Sequence, residues 1–282
     1  MGVVVITDSA ADMSAAQARE FGVEVVPLWV VFGDERLRDG VDITREAFYR
    51  RFAESKELPH SEPLDAPGFE EVFRRHVESG DECVVPIVSS KLSKTYESAR
   101  AAAARFPGKV HVVDTATLSG GQLLLAQVAG EMARAGSSAG SIAEALERGK
   151  ATQRGYQIMP DLAQLGRSGR LNKAIVALGT VLKVNPILQV RDGVVETAAQ
   201  TRTYDKAKEL IVDIATRGIS DVTKMRFAIG HTKAPDLAEE IAAAIRAKVV
   251  YPARSFVIYE VGPTVAVNVG TGAIAVFYLT GV

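Results

Sequence analysis

The sequence predicts an α/β protein with two parts. Residues 1–152 should form an N-terminal parallel sheet with helices on both faces. Residues 153–282 should form a C-terminal α+β domain with a mixed sheet. Three observations predict this. A chain of 282 residues is long for one small core and fits two modest domains. In the first half, short β-branched runs alternate with helical patterns across short turns, as in a sheet of parallel strands covered on both faces. In the second half, Asp192-Gly193 separates two apolar runs, the signal of a tight hairpin turn, and hairpins interleaved with helices imply helices on one sheet face.

The elements follow in order. Val3 to Thr7 is a β-branched run, as in a strand buried on both faces. Ser14 and Gln17 stand at capping-box spacing before AAQAREF, and Gly22 ends that helix. Val23 to Phe32 reads as one strand, Gly33 to Asp42 as a polar excursion, and Thr44 as the cap of REAFYRRFAES. Leu58 to Pro67 holds three prolines and reads as an irregular loop, so the region around 33–67 departs from the α/β pattern. Phe69 to Ser79 is a helix and Cys83 to Val88 a strand. Ser89 to Thr95 is a loop, Tyr96 to Phe106 a helix, and Val110 to Val113 a strand. Helices over Thr117 to Arg134 and Ser141 to Lys150 complete the first domain. In the second, strands Asn185 to Arg191 and Val194 to Gln200 flank the turn. A helix (Asp205 to Thr216), a strand (Met225 to Gly230) and a helix (Asp236 to Ala247) follow, then strands Arg254 to Val261 and Thr264 to Val269.

Composition excludes several functions. With 33 Lys and Arg against 34 Asp and Glu, no broad positive field draws the chain to nucleic acid or anionic lipid. The four histidines, His60, His76, His111 and His231, never share ligand spacing, and the lone Cys83 sits in an apolar run, so no metal site is expected. A single cysteine, no basic flank before an apolar core at the N-terminus and no long apolar run predict a cytoplasmic, soluble protein without stable membrane insertion.

No nucleophile elbow or P-loop is present. Gly166-Arg167-Ser168-Gly169 has the wrong form for the elbow. Gly270-Thr271-Gly272-Ala273-Ile274-Ala275 mimics a dinucleotide fingerprint, but too little chain follows for the βαβ unit that motif must open. It reads instead as a glycine-assisted turn. What remains is an anion site. In VVPIVSSKLSKTYESARAAAARF a buried strand passes through a hydroxyl-rich loop into a helix. The free N–H groups at that helix start, with Ser89, Ser90, Ser93 and Thr95 nearby, suit a carboxylate or phosphate. Simple N-capping would occupy one serine and leave several hydroxyls over.

The loop SSKLSKTYESA resembles the S-S-x-L-S-G-T-Y-x-S-A signature of the DegV family, fatty-acid-binding proteins of bacteria. Four more blocks agree in order: Thr7-Asp8-Ser9 with Asp12; Val113-Asp114-Thr115 with Ser119-Gly120-Gly121; LGRSGRLNKAIVALGTVLKVNPILQVRDG; and VGPTVAVNVGTGAIAV. The resemblance spans essentially the whole chain. It implies two domains with a ligand tunnel between them for one long-chain fatty acid. It also implies service as the binding subunit of a fatty acid kinase, whose separate ATP-using catalytic subunit makes the acyl phosphate. No cofactor and no catalytic residue are then expected in this chain, the fatty acid being its ligand.

Carried over by position, the resemblance makes Ser93 a hydrogen-bond partner of the carboxylate, with the backbone N–H of Lys94 beside it. Lys94 stands where the family usually has glycine. The family's carboxylate-binding threonine falls on His60, with Ser61 next to it, and either could donate. Arg170 matches a motif arginine, Arg202 a second basic position near the site mouth, and Asn268 replaces a family histidine, keeping a donor but losing the titratable group. Asp8 and Asp114, at strand ends, are read as turn or helix caps. Two other readings stay open: a stand-alone hydrolase or transferase using the same anion loop, and a scaffold whose apolar cleft receives a partner helix.

Overall fold

The computed structural model describes residues 2–170, 184–217, 219, 221–249 and 253–281. Four strands, β1 (Val3–Asp8), β2 (Val23–Val26), β6 (Glu82–Ile87) and β7 (Val110–Asp114), form an all-parallel sheet in the order β2-β1-β6-β7. Helices α3 (Ala66–Glu78) and α4 (Thr95–Ala103) pack together against one face. Helices α5 (Gly120–Arg134) and α6 (Ala139–Thr152) cover the other. Helix α1 (Ala15–Phe21) has the complete capping box of Ser14 and Gln17, and Gly22 closes it at φ 69°.

Val23 to Phe32 is not one strand. Pro27 carries no N–H, and the chain leaves the first sheet there. It resumes as β3 (Trp29–Phe32) in a separate antiparallel sheet with β4 (Glu35–Arg38) and β5 (His60–Glu62), so the polar excursion and the proline-rich loop each hold a strand. Helix α2 (Arg45–Glu54), capped by Thr44, bridges β4 and β5 in the chain.

The second large sheet has the order β10-β9-β8-β13-β11-β12, built from β8 (Arg154–Ile158), β9 (Asn185–Arg191), β10 (Val194–Thr201), β11 (Met225–His231), β12 (Ser255–Glu260) and β13 (Ile274–Thr280). Only β11 and β12 pair parallel; the sheet is mixed. Asp192 and Gly193 have φ of 48° and 82°, the two positive values a tight two-residue hairpin turn requires. The expected boundary at 152/153 falls between α6 and β8, and the short helix α7 (Ala163–Arg167) follows β8.

Alternation along these strands separates two cores. Ile229, Ile274 and Val276 face a cluster with helices α8 (Tyr204–Thr216) and α9 (Pro235–Lys248). Ala228, Ala275 and Phe277 face the larger cluster shared with the first sheet. The second face is not bare, because α5 packs on β11 and β13 as well as on β1. One long apolar helix is thus sandwiched between the sheets, and Gly120 to Gly130 of it are buried throughout.

Two expectations near the C-terminus need correction. Thr264 to Val269 is not a strand but lies in helix α10 (Pro263–Val269), with Pro263 in its first turn and Gly270 after its end. Gly270 to Ala273 form the expected turn, and the segment beyond, to which no element was assigned, is β13 at an interior position of the sheet. Among the described residues no helix is long and apolar enough to cross a membrane, and no group of three or more His, Cys, Asp or Glu could hold a metal ion.

Candidate functional site

A cleft opens between the two halves. The first half contributes Ala10, Leu28, Val88, Leu92 and Leu118 to its walls. From the second half come Leu165, Val195, Val265 and Val269. Polar groups gather along it: Ser61 and Glu62 on β5, Ser93, Arg170, Gln157, and Thr264 and Asn268 on α10.

The serine-rich loop is more self-contained than its sequence suggested. The buried Ser89 hydroxyl donates to the carbonyl of Gly193 at 2.8 Å, at the tip of the β9–β10 hairpin. Ser90 donates to Asp114. The N–H groups of Leu92 and Ser93 both go to the Ser89 carbonyl. Loop hydroxyls that capping left unexplained are therefore used to fold the loop, and Ser93 is the loop serine that lines the cleft. Its Oγ lies 2.8 Å from Thr95 Oγ1 and accepts the Thr95 N–H at 3.2 Å. Lys94 has φ −74° and ψ 0°, an ordinary right-handed conformation, so the position makes no demand for glycine. Its side chain is exposed and it does not line the cleft; its N–H has no partner among the described residues.

Arg170 and Asn268, 98 residues apart, meet across the cleft, with Arg170 Nη1 donating to Asn268 Oδ1 at 2.8 Å. The guanidinium also donates to the carbonyls of Leu92 and Ser168, each at 3.3 Å. All of its partners among the described residues are uncharged. Burial lowers its pKa. A half-buried cation facing only neutral acceptors is an electrostatic invitation to an anion. Asn268 is oriented from behind, its Nδ2 donating to the Thr264 carbonyl at 3.0 Å. Thr264 is anchored in turn by donating from N and Oγ1 to Asp39 at 3.0 and 2.6 Å. Asn268 thus sits in a buried helix rather than in a strand. The acid that lines the cleft, Glu62, is paired with Arg36 at 3.0 Å.

The structure brings Ser93, Ser61, Arg170 and Asn268 to one cavity and leaves three candidates outside it. His60 is exposed beside Glu62 and lines no part of the cleft, whereas its neighbour Ser61 does. Arg202 is exposed just beyond β10 and lines no part of the cleft. Sequence reading missed Thr264 and Gln157. The Asp39–Thr264 pair had no local signal, since 225 residues separate its members.

Asp8 and Asp114 act as caps. Asp8 accepts the N–H groups of Ala10 and Val88 at 2.8 and 2.9 Å, fixing two residues of the cleft wall. Its burial pushes its pKa up to about 6. Asp12, at φ 54°, ties the halves together. It accepts the Gly262 N–H at 2.8 Å and the Ser119 hydroxyl, which also contacts Tyr259 Oη at 2.7 Å. Burial raises its pKa to about 7 against the opposing hydrogen bond from Ser119.

Among known proteins, the family model described as uncharacterised protein, DegV family, matches residues 2–281. The chain belongs to the DegV family. A DegV domain-containing protein of Halalkalibacterium halodurans is 31% identical over 274 residues, 96% of each chain. A Thermus thermophilus DegV family structure described by its fatty acid binding is 28% identical, covers 100% of both chains and superposes with a TM-score of 0.87. A stearic-acid-binding protein of Eubacterium ventriosum is 25% identical over 98% of this chain and 97% of its own, with a TM-score of 0.89. Within this DegV chain the opening and serine-loop motifs and the glycine-proline motif before α10 converge on the cleft. Residues 171–183 of the central motif lie outside the described residues.

Proposed function

We propose that this chain binds one long-chain fatty acid in the cleft and presents its carboxylate to a partner kinase. The observation that carries the reading is a cleft with apolar walls whose polar end gathers Ser93, Ser61, Asn268 and an Arg170 without an anionic partner among the described residues. The fatty-acid-binding relatives of the same fold support it. Burying an acyl chain yields ~0.8 kcal/mol per methylene, or on the order of 12 kcal/mol for about fifteen methylenes before ordering costs. A hydrogen bond to a charged group yields roughly 1.5–3 kcal/mol. The tail therefore supplies affinity and the head group sets orientation.

In the proposed reaction a carboxylate oxygen attacks the γ-phosphorus of ATP held by the kinase subunit. The bond to ADP breaks and an acyl phosphate forms on the carrier. The chain itself does no catalysis and works in the cytoplasm. Fatty-acid-loaded chain, ATP and hydroxylamine test this, since hydroxylamine traps acyl phosphate as a hydroxamate. Hydroxamate should form only when an ATP-dependent kinase subunit is added. Its formation by the chain alone would make it a stand-alone enzyme instead.

A further inference from the structure

A second, small and narrow cavity lies beside the first and shares with it the wall residues Leu118, Gln157, Val265 and Val269. Its origin can be read from strand register. Ala275 pairs with Gln157 on one side and with Gly230 on the other, and Gly230 pairs with Tyr259. Paired residues share a sheet face, so Gln157, Ala275, Gly230 and Tyr259 form one row across four strands. That face is the one turned to the first sheet, because Ala275, Phe277 and Tyr259 all belong to the shared core. The two small residues at the centre of the row leave a trough. Tyr259 closes its far end: its ring leans over Gly230, where a Cβ would come within 2.6 Å, and its hydroxyl is held by Ser119 at 2.7 Å.

Resting on the fatty-acid reading above, we infer that this trough receives the methyl end of the acyl chain and that Ala275 sets the acyl length the protein accepts. The polar groups that would hold the carboxylate line the first cavity, whereas the second is walled largely by apolar side chains, with Val261, Val265, Ala273, Ala275 and Phe277 among them. A chain that entered past the shared wall would run along the row until Tyr259 stopped it. A larger side chain at 275 fills the trough without touching the head-group residues.

The test is a binding series of saturated acids with 10 to 20 carbons on delipidated protein, by displacement of a fluorescent fatty acid, for wild type, Ala275→Val and Ala275→Leu. Each methylene that finds apolar wall should tighten binding about fourfold, up to a length at which wild type levels off. Ala275→Leu should level off about three carbons earlier, losing on the order of fiftyfold for the longest acids while binding the shortest as wild type does. Ala275→Val should fall between, and it serves as the reading if the leucine variant does not fold. Equal loss at every length in a variant that melts like wild type, or an unchanged plateau, would overturn the assignment of Ala275. Failure of wild type to bind any acid would remove the fatty-acid reading itself, a result distinct from a misplaced plateau.

Discussion

Replacing Ser93 with alanine separates head-group recognition from tail burial. The Ser93 hydroxyl lines the cleft and is linked to Thr95 by contacts of 2.8 and 3.2 Å. Its removal deletes one hydrogen bond to the carboxylate, worth roughly 1.5–3 kcal/mol, or about 10- to 150-fold in affinity. It also leaves the buried Thr95 hydroxyl without that partner, lowering folding stability by about 1 kcal/mol. The tail contribution, on the order of 12 kcal/mol, is untouched. Calorimetric titration with a saturated acid and with the primary alcohol of equal length isolates the effect. Ser93→Ala should weaken the acid within that range and the alcohol by less than about threefold. It should reduce acyl phosphate formation with the kinase more than it reduces lipid retention. Equal weakening of acid and alcohol would instead mean that Ser93 only shapes the loop and does not bind the carboxylate.

Three further outcomes follow from the same geometry. Arg170→Gln removes the cleft cation and should weaken the acid more than about tenfold without a matching effect on the alcohol, read by the same titration. Asp12 has its pKa raised by burial to about 7 from 3.8, so the native state binds more protons than the unfolded chain. Its contribution to stability is full below about pH 4 and is lost as pH rises through about 7. Thermal melting from pH 5 to 8 should therefore fall less steeply for Asp12→Asn than for wild type; parallel profiles would contradict this. Gly193 has φ +82°, and a Cβ there would come within 2.5 Å of Ser89 Oγ. Gly193→Ala should cost about 1–3 kcal/mol in urea unfolding by straining the hairpin tip and displacing it from the serine loop.

Where local chemistry decides structure, the sequence was legible. Ser14 with Gln17, Thr44 before its helix and Asp192-Gly193 each act within a few residues, and each appears as expected. The failures share one cause. TVAVNV alternates β-branched and smaller residues and reads as a strand, yet every residue of α10 is buried, and tertiary packing overrides the poor helix propensity of valine. Pro263 and Gly270 were the available signals, a helix start and stop that outweigh side-chain type. The glycines after α10 are read correctly as a turn, but β13 beyond them was missed because the mixed sheet that receives it is built from strands distant in sequence. Motif resemblance picked out Ser93, Arg170 and Asn268, residues distant in sequence that line one cleft. Ser61 and not His60 lines the cleft, a distinction that the unrecognised strand β5 concealed.

Mass spectrometry of an organic-solvent extract of the purified chain bears most directly on the central claim, that the space between the two sheets holds a single carboxyl-headed amphiphile. Close to one equivalent of long-chain fatty acid per polypeptide is expected, displaced by added acid of the preferred length. A lipid-free extract, together with no uptake of any acid when the chain is reloaded, would contradict it.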